Sequence, residues 1–212
     1  MFLTVIRDAP LTGGQMALLY ASDPVILIKK NSRRRRIAFS FFKTMATFEE
    51  RLNSLDLTLF ENIQSQTTED DRRSLLAIQC AVRERSPGYN YLEIGSHLGG
   101  SLQSHLLDDK CSTIYSIDKR PLVQPDERGV RYGYPENSTA RMLELLSELA
   151  PTEKIITIDG DTKTLDPNVI DEKIQLCFID GEHTDVATSL DFEFCLDVLD
   201  GAGGGSFFTT PM

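Results

Sequence analysis

The chain has 212 residues, 41% of them hydrophobic and 25% charged, with no long tract of low complexity. This composition excludes a disordered or fibrous protein and gives one domain a substantial core, with room for an appendage but not for a second full domain. Thirty-two acidic against 22 basic residues give a formal charge of −10, which argues against general attraction to nucleic acid or to an anionic membrane surface.

Residues 1–66 read as an N-terminal helical extension and 67–212 as the main domain. Pro10, Gly13, Gly14 and Pro24 punctuate the start, and the apolar run Val25-Ile26-Leu27-Ile28 is far shorter than a membrane span or a signal-peptide core. A cytoplasmic protein is expected. The basic run Arg33 to Arg36, preceded by Lys29 and Lys30, reads as a solvated surface, with docking on phosphates as the alternative. Apolar positions 38, 41, 42, 45, 48 and 52 are three or four apart, which predicts an amphipathic helix over 38–52 packed on the main domain.

Thr68, followed three residues later by Asp71, resembles a capping box, and it opens a periodic run through Leu75, Leu76, Ile78, Ala81 and Val82 that Ser86-Pro87-Gly88 stops. From there, strands alternate with helices, the signature of an open, mostly parallel α/β sheet. Strands are predicted over 89–94, 113–118, 154–159, 174–180 and 206–209, and helices over 100–108, 138–149 and 185–199. The connection 120–137, with Pro121, Pro125 and Pro135, is long enough to predict a lid or substrate wall. Cys80, Cys111, Cys177 and Cys195 show no C-x-x-C and no zinc-site spacing, so reduced, buried thiols are expected.

In an open α/β sheet, ligands bind outside the carboxyl ends of the strands, where this chain places Glu93, Asp118, Asp159 with Asp161, and Asp180. Crowded carboxylates repel a pyrophosphate and suit ribose hydroxyls, an amino group and a positive centre. The glycines argue the same way. Gly95 is followed by Gly99 and Gly100, giving E-x-G-x-x-x-G-x-S rather than the dinucleotide G-x-G-x-x-G. Asp118 follows the loop at about the distance at which a ribose-binding acid stands in dinucleotide folds.

Four motifs in order, Leu92-Glu93-Ile94-Gly95-x-x-x-Gly99-x-Ser101, Tyr115-Ser116-Ile117-Asp118, Gly160-Asp161-Thr162 and Phe178-Ile179-Asp180-Gly181-Glu182-His183, make the segment from about Tyr91 to Gly205 similar to class I S-adenosylmethionine-dependent methyltransferases. The resemblance is to the branch of small-molecule and antibiotic-sugar O-methyltransferases. It implies an α/β fold: a Rossmann-like methyltransferase sheet, mostly parallel and truncated after the fifth strand, behind the helical N-terminal extension. The implied cofactor is S-adenosyl-L-methionine. Glu93, Gly95, Ser96, Gly99 and Ser101 would hold its methionine portion and line its path, Asp118 its ribose hydroxyls, and Asp161 would lie near its adenine amino group.

Asp180 and His183 are the catalytic candidates, as the groups that would face a hydroxyl acceptor and take its proton. His97 is expected to point outward and His105 to be structural. The residue two places after His183 is Asp185, where some relatives carry an aromatic, and the fifth strand is followed by Thr210 rather than an acid pair. These departures make a divalent metal doubtful, and its ligands are unknown.

The expected function is O-methylation of a small hydroxylated metabolite. Competing readings are a catalytically impaired S-adenosylmethionine-binding module, a nicotinamide-dependent oxidoreductase and a nucleic-acid methyltransferase guided by Arg33 to Arg36. The partner expected is a small-molecule substrate, without nucleic acid or membrane. An apolar strand at 206–209 exposed at the sheet edge would invite association, so a homo-oligomer is among the expectations.

Overall fold

The computed structural model describes residues 46–125, 131–201 and 206–209. The Arg33 to Arg36 run and positions 38–45 of the first predicted helix lie outside the described residues. Among those described, no helix is long and apolar enough to cross a membrane.

The first helix, α1, spans Phe48–Asn53 and starts behind Thr47, whose extended backbone and hydroxyl make a reciprocal capping box with Glu50. The predicted helix over 38–52 is therefore broken at Thr47, because the local hydrogen bonds of a Thr-x-x-Glu sequence set a helix start inside an apolar periodicity that reads as continuous. A 3₁₀ turn at Leu57–Phe60 follows. The second helix, α2, spans Glu69–Arg85 and carries the predicted box, Thr68 with Asp71.

Five strands form one parallel sheet: β1 (Tyr89–Ile94), β2 (Cys111–Asp118), β5 (Ile155–Asp159), β6 (Leu176–Ile179) and β7 (Ser206–Thr209), in the order β5-β2-β1-β6-β7. Helices α3 (Gln103–Leu107), α4 (Thr139–Ser147) and α5 (Asp185–Val198) connect them. This is the Rossmann-like order, and its direction reverses between β1 and β6, where a ligand crevice opens beyond the carboxyl ends. Register brings those ends level, with Ile94 opposite Ile117 and Ile179, and Asp118 opposite Asp159.

Two elements differ in kind from the sequence expectation. The connection 120–137 holds an antiparallel pair, β3 (Val123–Pro125) and β4 (Arg131–Gly133), which forms its own two-stranded sheet. The helix predicted from Gly100 starts only at Gln103, because the preceding residues turn through Gly99 at a φ of 82°.

Strand alternation divides the core into two layers. Tyr89, Tyr91, Ile114 and Phe178 pack with Leu75, Leu76, Leu106 and Leu146 on one face. Leu92, Ile117, Cys177 and Ile179 pack with Phe194 and Val198 on the other. The first layer also takes in Leu52, Leu59, Phe60 and Ile63, so the described part of the N-terminal segment shares the main core. Gln103 fastens it there: its amide oxygen accepts from the N–H groups of Asn62 and Ile63, and its amide nitrogen donates to the carbonyls of Phe60, Ile63 and Gly100. All four cysteines are free thiols, three of them buried and Cys80 half-buried.

Candidate functional site

A cleft opens beyond the ends of β1, β2, β5 and β6, where an open α/β sheet holds its ligands. Its floor is the bend after β1. Gly95 has a φ of 90°, and a Cβ there would lie 2.2 Å from the carbonyl oxygen of Asp180, so only glycine lets the ends of β1 and β6 meet.

Gly95, Asp118, Asp161 and Asp180 all line this cleft. Asp118 is nearly buried. Its Oδ1 accepts the backbone N–H of Arg120 at 2.7 Å and its Oδ2 that of His97 at 2.8 Å. Those bonds occupy two of roughly four acceptor sites on a carboxylate and leave the others for a ligand. Asp161 likewise accepts a backbone N–H two residues on, from Lys163 at 3.0 Å. A turn-forming carboxylate and a cleft-lining one are here the same residue.

Glu93, Ser96, Gly99 and Ser101 lie behind the cleft wall instead of lining it. Glu93 is fully buried, with Tyr91 Oη donating at 2.6 Å and Ser101 Oγ at 2.5 Å. Burial pushes its carboxyl up to about 8, against the two hydroxyl donors and with help from the charges of Asp180 and Asp118. Ser96 Oγ accepts from Ser116 Oγ at 2.8 Å inside the protein. A Cβ on Gly99 would meet Leu146 and Met142 of α4, so the close approach there is made by a helix. These four residues shape the loop from within.

His183 stands just outside the lining, its Nε2 3.9 Å from Asp180 Oδ1. His97, expected to point outward, lines the cleft and packs edge to face with Tyr134, ring centres 5.3 Å apart. Its φ of 46° turns the imidazole inward, and burial lowers its pKa. His105 is structural as expected: fully buried and stacked 3.7 Å from Tyr91, it has a pKa driven down to about 3 by burial, with Lys154 adding.

Two cleft residues were not anticipated. Lys119 bonds Glu182 at 2.7 Å and lies 3.6 Å from Asp161, joining the ends of β2, β5 and β6. Burial pulls its ammonium down, but the two acids outweigh that and raise it. Asp191, on α5, accepts from Thr162 Oγ1, and burial raises its carboxyl to about 6. The sequence signal for Asp191 was an acid on the same helix face as Leu190, Phe194 and Val198. Among the described residues, no group of three His, Cys, Asp or Glu side chains could hold a metal ion.

No protein-family model and no curated protein matches this chain. Solved structures match in shape. A SAM-dependent methyltransferase from Geobacter sulfurreducens in complex with S-adenosyl-L-homocysteine is 18% identical with a TM-score of 0.42, over 75% of this chain and 54% of that one. The S-adenosylhomocysteine-bound Podospora anserina methyltransferase PaMTH1 is 17% identical with a TM-score of 0.44, over 76% and 60%. A complex of aTrm5 with tRNALeu matches at 14% identity and a TM-score of 0.35, over 57% and 28%. The chain thus spans little more than half the length of the first two. At identities and scores this low, its own topology and residues carry the reading.

Proposed function

We propose that the chain is an S-adenosylmethionine-dependent methyltransferase acting on a hydroxyl group of a small molecule. The observation that carries this reading is the charge of the cleft: Asp118, Asp161, Asp180, Glu182 and Asp191 line it against Lys119 and Lys163. A surplus of carboxylates in a partly dry crevice favours a cationic nucleoside and disfavours a diphosphate. The donor set fits the cofactor. Asp118 has acceptor capacity for a vicinal diol, Asp161 stands where an exocyclic amino group could donate, and the bend at Gly95 leaves main chain uncovered for the amino-acid portion.

When bound, the cofactor supplies an electrophilic methyl group on a sulfonium, leaving the protein to bind, orient and exclude water. Asp180 faces the cleft and is the acceptor for a substrate O–H. His183, beside it, is one side chain away from a proton leaving that hydroxyl.

Titration calorimetry with S-adenosylmethionine, S-adenosylhomocysteine and NAD tests the reading. Both sulfur nucleosides should bind, and Asp118→Ala should weaken them by about tenfold or more, while His183→Ala slows transfer to hydroxylated acceptors without changing their affinity. Binding of NAD alone would overturn it. Nucleoside binding without transfer to any of a panel of hydroxylated acceptors would leave a binding module.

A further inference from the structure

Arg120 follows the ribose-binding candidate Asp118 by two residues and adopts a φ of 54°, a left-handed conformation uncommon outside glycine. That turn sends its side chain back under the end of β2, away from the cleft, where it is only 8% exposed. The guanidinium is used in several directions. Nη1 donates to the carbonyl oxygen of His97 at 2.5 Å and lies 3.5 Å from Asp118 Oδ2. Nη2 donates to Ser116 Oγ at 3.3 Å, and Nε to Asp159 Oδ1 at 3.4 Å.

His97 is consequently gripped at both ends of one residue. Its N–H holds Asp118 Oδ2, and its C=O is held by Arg120. His97 is itself in the left-handed region, a conformation that persists only when its surroundings over-determine it. The backbone N–H of Arg120 then takes the other oxygen of Asp118. The plane of that carboxylate is set by two main-chain groups, and one side chain secures the geometry of both.

We infer that Arg120 is a positioning residue for the ribose: it aims the carboxylate of Asp118 at a ligand diol that Arg120 itself never reaches. The inference rests on the methyltransferase reading of the cleft. Planar, multidirectional donation is what the position demands, and a lysine could satisfy only one or two of the contacts.

The test is the ratio of affinities for S-adenosylhomocysteine and its 2′-deoxy analogue, measured by calorimetry on the full chain. The unaltered protein should prefer the ribose form by about tenfold, the worth of a hydrogen bond to a charged acceptor. Arg120→Met should bring the ratio close to one, as should Asp118→Asn. Arg120→Gln, the milder variant should Arg120→Met fail to fold, should lower the ratio at least about threefold. A merely structural arginine would weaken both ligands equally, so a ratio unchanged in whichever of these variants folds overturns the inference while the methyltransferase reading stands. A ratio near one in the unaltered protein removes the diol role of Asp118 and the inference with it. Failure of both ligands to bind the unaltered protein overturns the methyltransferase reading itself.

Discussion

Glu93 and Asp118 stand on neighbouring strands close to the same sheet edge, and the glycine loop separates the regions they occupy. Behind the loop, Glu93 is sealed from water with two hydroxyls for company, and its carboxyl is pushed up to about 8. In front of it, Asp118 is met by two backbone N–H groups and a guanidinium and borders open space. The same functional group thus serves in one place as an enclosed strut and stands in the other as a candidate ligand acceptor at the cleft. What separates them is the supply of donors and solvent, which strand position alone does not determine.

The bend at Gly95 keeps the two regions apart, and breaking it should have the largest effect. Gly95→Ala places a Cβ 2.2 Å from the carbonyl oxygen of Asp180 at a φ of 90°, so a loss of at least about 3 kcal/mol is expected. Urea unfolding of the variant would measure it. The pH dependence of stability sharpens the contrast further. The folded-state pKa of Glu93 is raised from 4.5 to about 8, so between those values the native chain holds a proton that the unfolded chain has released. Its stabilising contribution is complete below about 4.5 and is lost as pH rises through about 8, by a few kcal/mol at about 1.4 kcal/mol per unit. Glu93→Gln should abolish that decline, seen as a urea midpoint that stays level from about pH 6.5 to 8.5 instead of falling. Asp191, raised from 3.8 to about 6 by burial, gives a smaller decline of the same sign at lower pH, about 3 kcal/mol. Asp191→Asn should make the slope below pH 6 shallower and leave the slope above it unchanged. The two variants having interchangeable pH windows would break the contrast.

The order of elements was legible because each strand of the sheet is a short apolar run between helix-period segments, and because Thr68 with Asp71 announces α2. The β3–β4 pair was not, since three residues a side carry no readable alternation and Pro125 argues against a strand. Gly95, Asp118, Asp161 and Asp180 could be placed from strand ends alone. The enclosure of Glu93 could not, because it depends on Ser101 folding back across the loop and on Tyr91 beneath. The inward turn of His97 depends on Arg120, a residue 23 positions away. Sequence position located the acids, and tertiary packing decided which of them face the cleft.

The five contacts of Gln103 have a practical consequence for anyone choosing where to start an expression clone. A chain begun at residue 67 would keep every strand of the sheet yet strand a buried amide, along with the apolar bed vacated by Leu59, Phe60 and Ile63. An autonomous folding unit should therefore include residues 57–63, which are expected to melt together with the sheet.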